Sequence, residues 1–85
     1  MTVERMFNEL IAEMVANGWE VFWKNFMTIT TDCHELKYHA FVRFTRNGNS
    51  VELSAHDVYT TKRMESEIAK FYERVEFLRE KGIID

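Results

Sequence analysis

The residues that could do chemistry in this chain gather at Asp32-Cys33-His34-Glu35, with His39 and His56 farther along. Thiolate, imidazole and carboxylate are all zinc ligands, and a cysteine beside a histidine is the start of a nucleophile and its base. By alternation Cys33, Glu35 and His39 share one face of a strand, and His56 can stand on its neighbour. Neither chemistry is completed. A structural zinc site takes four ligands, usually at paired short spacings such as Cys-x-x-Cys, and the chain holds one cysteine. A catalytic cysteine also needs an orienting third group and an oxyanion hole, and no Gly-rich turn supplies one. Glu9 and Glu13 read as a solvated helix face, not as an acid–base pair. Three glycines and no proline leave nothing to build a phosphate-cradling loop. The sequence therefore predicts no enzyme, no metal and no cofactor, and 32–35 reads as a polar turn entering a strand.

The elements that position these residues follow from the period of the apolar side chains. Val3, Met6, Phe7, Leu10, Ile11, Met14 and Val15 recur every three or four residues, which predicts a helix over 3–17 with Thr2 as N-cap and Gly18 as terminator. From Trp19 the period becomes two. Trp19, Val21, Trp23, Met27 and Ile29 fall on one side of a strand over 19–29. Leu36, Tyr38, Ala40, Val42 and Phe44 do so over 35–46, and Val51, Leu53 and Ala55 over 50–57. Asn47-Gly48-Asn49 between the last two is a strong hairpin signal. Met64, Ile68, Phe71, Val75 and Leu78 then predict a helix over 60–81, capped by Thr60 or Thr61 and ended by Gly82.

The chain of 85 residues is long enough for one domain, and its 46 % hydrophobic content is that of a globular fold. Two amphipathic helices need one apolar surface, and the sheet supplies it. The expected class is α+β: an α-β-β-β-α two-layer sandwich, a single domain over 1–85, with a three-stranded antiparallel sheet and both helices on one face. No apolar run approaches the ~18 residues of a membrane span, and the first residues lack the pattern of a secretory signal. The expected location is cytoplasmic.

This arrangement leaves the other sheet face open. Strict alternation assigns to it Glu20, Phe22, Lys24 and Phe26 from the first strand. Glu35, Lys37, His39, Phe41 and Arg43 come from the second, and Glu52, Ser54 and His56 from the third. A water-facing sheet should be polar there, yet three phenylalanines stand among the charges. Such a cluster marks an interface. The candidate partner-binding residues are Phe22, Phe41 and Arg43 as anchors, with Lys24, Phe26 and His39 around them. Three other arrangements account for the same residues: a bulge near Asn25 that turns Phe26 inward, residues 30–35 folded over Phe22, and a homodimer that buries the whole face.

The net charge is −3, with no basic excess in any third of the chain, so a nucleic-acid partner is less expected than a protein one. Two resemblances bear on this. The element order is similar to that of the double-stranded-RNA-binding domain. Asn8-Glu9-Leu10 resembles that family's first-helix motif, His34 lies in the loop where the family has a histidine, and Lys62-Arg63 opens the second helix at its basic cluster. That resemblance implies RNA contacts from Glu9, His34, Lys62 and Arg63. The chain departs from the family pattern at Thr31-Asp32-Cys33 and at Lys62-Arg63-Met64-Glu65-Ser66, where Glu65 and Glu67 put negative charge near a phosphate site. In size and element order the chain also resembles the small acidic inhibitors encoded by phages and mobile elements, such as anti-CRISPR proteins that block Cas9. Asn8-Glu9-Leu10-Ile11, Gly18-Trp19-Glu20-Val21 and Phe41-Val42-Arg43-Phe44 before Asn47-Gly48-Asn49 carry that likeness. It implies a cofactor-free domain that acts by occupying another protein's surface. The sequence-based expectation is a non-enzymatic protein-interaction module of this inhibitor type, with an RNA-binding domain as the alternative.

Overall fold

A computed structural model describes residues 1–84. Helix α1 (Val3–Ala16) is followed by β1 (Glu20–Thr30), β2 (Leu36–Arg46), β3 (Asn49–Val58) and helix α2 (Thr61–Glu80). The strands form one antiparallel sheet in the order β1-β2-β3. Both helices lie on the same face, α1 over β1 and β2 and α2 over β3. The α+β sandwich read from the periodicity is the observed architecture. No helix among the described residues is long and apolar enough to cross a membrane.

Each helix is bounded by the residues its sequence offers. Thr2 Oγ1 accepts the Arg5 N–H at 3.1 Å, and Thr60 Oγ1 accepts that of Arg63 at 3.1 Å. Both C-termini close in the same way. Gly18 (φ 91°) and Gly82 (φ 73°) take the left-handed position. Trp19 N–H then returns to the Met14 carbonyl, and Ile83 N–H to that of Leu78. The first of these turns drops Trp19 into the core at 2 % exposure. Arg46 seals it from β2, donating to the Asn17 carbonyl at 2.8 Å and lying 5.1 Å above the Trp19 ring.

Two turns join the strands, and the sequence signals the second of them. Asn47 (φ 51°) and Gly48 (φ 80°) form the two-residue turn between Arg46 and Asn49, with both central residues left-handed as such turns require. Between β1 and β2, the His34 N–H bonds the Thr31 carbonyl at 2.9 Å, and His34 itself is left-handed (φ 62°).

The core is wholly apolar; among the described residues no polar or charged side chain is buried. Val3, Phe7, Leu10 and Met14 of α1 and Met64, Phe71 and Val75 of α2 meet Ala40, Val42, Phe44, Val51, Leu53, Ala55 and Val58 of the sheet. Phe44 and Phe71 lie 6.0 Å apart across the layers, and Phe7 lies 5.4 Å from Phe26. Val15, expected on the α1 stripe, is exposed. The Tyr72 hydroxyl of α2 donates to Glu13 Oε2 of α1 at 2.7 Å. Burial, then that carboxylate, raises the phenol's pKa well above its ordinary value.

Strand β1 departs from strict alternation. Val21 pairs with Phe44, but Trp23, not Phe22, pairs with Arg43. Phe22 is the extra residue of a β-bulge, and every later side chain of β1 changes face. Phe26 therefore lies opposite Ala40 on the core side, against Phe7 and, at 5.6 Å, Tyr38. Lys24 lies opposite Val42 and escapes to solvent at the sheet edge. Trp23 and Met27, expected inward, go to the outer face. Deleting Phe22 is expected to preserve every later pair and to cost roughly 1 kcal/mol or less, read from thermal melts and the Trp23 fluorescence. In an unbulged strand the same deletion would invert the faces from Trp23 onward and unfold the protein.

Candidate functional site: the outer face of the sheet

The bulge sets what the open face presents. From β1 come Trp23, Asn25, Met27 and Ile29; from β2, Lys37, His39, Phe41 and Arg43; from β3, Glu52, Ser54 and His56. Of the sequence-predicted residues, Phe41, His39 and Arg43 stand together on this face. Phe22 is exposed within the bulge, and Lys24 and Phe26 belong to the other side. The patch is re-centred rather than lost, because Trp23 and Met27 take the places expected for Lys24 and Phe26.

At its centre the Trp23 and Phe41 rings meet at 4.9 Å, tilted by 52°. Trp23 remains 56 % exposed and Met27 45 %. Between the β1 and β3 rows lies a shallow depression of about 240 Å³, floored by Phe41 and Ala40 and walled by Trp23, Met27, His39 and His56. A large aromatic with a polar handle, half exposed beside another aromatic, is the side-chain type that dominates interface energetics.

Charge frames the depression at both ends. Toward the Asn47-Gly48 turn, Arg43 directs Nε and an amino nitrogen to Glu52 Oε2 at 3.0 and 2.8 Å. Toward the other end, Asp57 Oδ1 receives Lys37 Nζ at 3.0 Å and stands 3.4 Å from His39 Nε2. A second bulge makes this cluster: β3 has an extra residue opposite His39, and Asp57 takes a left-handed conformation there (φ 54°). His39 and His56 consequently meet edge to face at 5.1 Å, with Ser54 Oγ 3.3 Å from His56 Nε2. The Lys37 ammonium, then the His39 ring, holds the Asp57 carboxyl below the usual carboxylate range, and Asp57 raises Lys37 in turn.

A carboxyl with a depressed folded-state pKa stabilises the fold above its unfolded value, and that stabilisation fades as pH falls through the folded one. Asp57→Asn, which keeps the left-handed backbone accessible, is expected to flatten the fall in stability below about pH 4. Denaturant midpoints measured at several acid pH values check this; superimposable acid limbs would show that the cluster contributes nothing.

The residues first suspected of chemistry do not assemble. Cys33 and His34 are exposed in the β1–β2 turn, while His39 and His56 pair on the sheet. Among the described residues no group of three or more His, Cys, Asp and Glu is placed to hold a metal ion. Of the residues suggested by the RNA-binding resemblance, three make local contacts. Glu9 pairs with Arg5 at 3.2 Å, Arg63 with Glu67 at 3.1 Å, and His34 serves the turn. No family model, curated protein or solved structure matches this chain.

Trp23 and Met27 are the site residues that alternation missed. The signal for them was the unbroken apolar run Val21-Phe22-Trp23, which a strand of period two cannot place on one face.

Proposed function

We propose that this protein is a non-enzymatic protein-binding module that offers the outer face of its sheet to a protein partner. The observation that carries this reading is the exposed Trp23 ring against half-buried Phe41, with exposed Met27 beside them, at the centre of a sheet face that should be polar. Arg43 and Glu52 at one end and Lys37, His39 and Asp57 at the other form the polar rim typical of such interfaces. The form implied by the anti-CRISPR resemblance is an inhibitor that sits on a nucleic-acid-handling host protein in the cytoplasm; the net charge of −3 suits competition for a cationic surface. Added in excess to a guided Cas9 cleavage reaction, such an inhibitor suppresses cutting, and undiminished cutting removes that target.

The reading is tested against its alternative by titrating the protein with double-stranded RNA, single-stranded RNA and duplex DNA at ~50 and ~200 mM salt, across which phosphate-driven binding falls steeply. No binding at the lower salt is expected. Micromolar, salt-sensitive binding lost in the Lys62→Glu, Arg63→Glu double variant would replace the protein-binding reading with the RNA-binding one.

A further inference from the structure

The sheet has two edges, and they are built differently. On β3, Arg74 of α2 donates to the Glu52 carbonyl at 2.9 Å, and the bulge at His56–Asp57 breaks the ladder. Charge, a bulge and a covering side chain are the devices by which proteins prevent strand addition. On β1 the run Trp23–Thr30 is regular, lacks proline and carries Lys24 as its single charge. Every residue of β1 except Phe26 and Ile29 is exposed, and among the described residues no element pairs with its outer edge. A regular, apolar, unpaired edge is a template for another strand.

The sequence of this edge is suited to its own copy. In a two-fold antiparallel pair, residues of the same face must lie opposite one another. Centring the axis on Lys24 would oppose two ammonium groups. Centring it on Phe26 would set Asn25 against Met27. Centring it on Asn25 sets Asn25 against its own copy, Trp23 against Met27 and Lys24 against Phe26, so like meets like on the outer face and the lysine stem lies over a ring. We infer that β1 pairs with β1 of a second copy about Asn25, forming a six-stranded sheet with all four helices on one side. This pairing uses the edge rather than the Trp23–Phe41 face, so it stands apart from the protein-binding proposal, although it would place two such ring pairs side by side.

The experiment combines mass in solution with a symmetry-specific cross-link. At roughly 1 mM, where a pair with a millimolar dissociation constant is half formed, light scattering is expected to give between about one and a half and two times the 10.2 kDa of one chain. In a Cys33→Ser background, Asn25→Cys is expected to give a covalent dimer on mild oxidation, because facing Cα atoms about 4.5–5.5 Å apart suit a disulfide. Thr30→Cys in the same background, five residues from the axis and beyond the stretch that pairs, is expected to stay unlinked. Met27→Lys is expected to give a monomer with native circular dichroism, whereas Phe41→Asp keeps the dimer. A monomer at the highest concentration overturns the inference. So does a dimer that does not cross-link at position 25, or one lost in Phe41→Asp and kept in Met27→Lys; the last would mean sheet-to-sheet packing instead.

Discussion

Phe44→Ala is expected to leave most of the protein unfolded at physiological temperature. Phe44 has no exposure to solvent, sits mid-sheet opposite Val51 and Val21, and meets Phe71 of α2. Truncating a buried phenylalanine costs about 3–5 kcal/mol through lost transfer energy and the cavity left behind. A domain of this length holds roughly 4–13 kcal/mol in total. The loss thus rivals the whole stability at the lower end of that range, and no polar network in the core offsets it. Denaturant titration followed by circular dichroism checks it, with Phe77→Ala as control. Phe77 is 54 % exposed on α2, so its truncation should shift the midpoint little. Comparable midpoints for the two variants would mean that the core does not centre on β2.

Phe41→Asp is expected to have the opposite signature: a folded protein that no longer binds. Phe41 is only three residues from Phe44 but faces outward, half buried beside Trp23. Losing the ring pair should cost about 1 kcal/mol of stability, visible as a modest drop in melting temperature and a change in Trp23 fluorescence. Affinity for a protein partner should fall by at least ~30-fold, the ~2 kcal/mol that defines a hot spot, as measured by calorimetric titration. Phe41→Leu, which keeps an apolar side chain there, should retain most of the binding. Unchanged affinity in Phe41→Asp would remove the outer face from the proposed function.

Most of the fold was legible in the chain because its local signals agree. Thr2 and Thr60, Gly18 and Gly82, and Asn47-Gly48 each sit where the backbone needs a cap, a terminator or a left-handed turn. Alternation placed Phe41, His39 and Arg43 correctly because β2 runs without an insertion of its own. It misplaced Trp23, Met27, Lys24 and Phe26 because one added residue at Phe22 inverts everything after it. Bulges announced by glycine can be anticipated, but this one is made by a phenylalanine in an apolar run. A bulge near Asn25 would also have turned Phe26 inward; the actual insertion lies three residues earlier and brings Trp23 out as well. The second bulge was hidden for a different reason. Asp57 takes a glycine-like conformation, and the lysine and histidine that accompany it are distant in sequence.

The sheet follows chain order, and its strands are joined by the short turns 31–35 and 47–48. Each strand therefore finds its neighbour at little loop-closure cost, and each helix packs on the strand or strands next to it in sequence. The contact that spans most of the chain is the one between helices, where Tyr72 meets Glu13 across 59 positions. Assembly can then proceed hairpin by hairpin, with the Asn47-Gly48 turn as the natural starting point and the docking of α2 against α1 as the closing event. In a stopped-flow series, Tyr72→Phe should speed unfolding and leave the folding rate nearly unchanged.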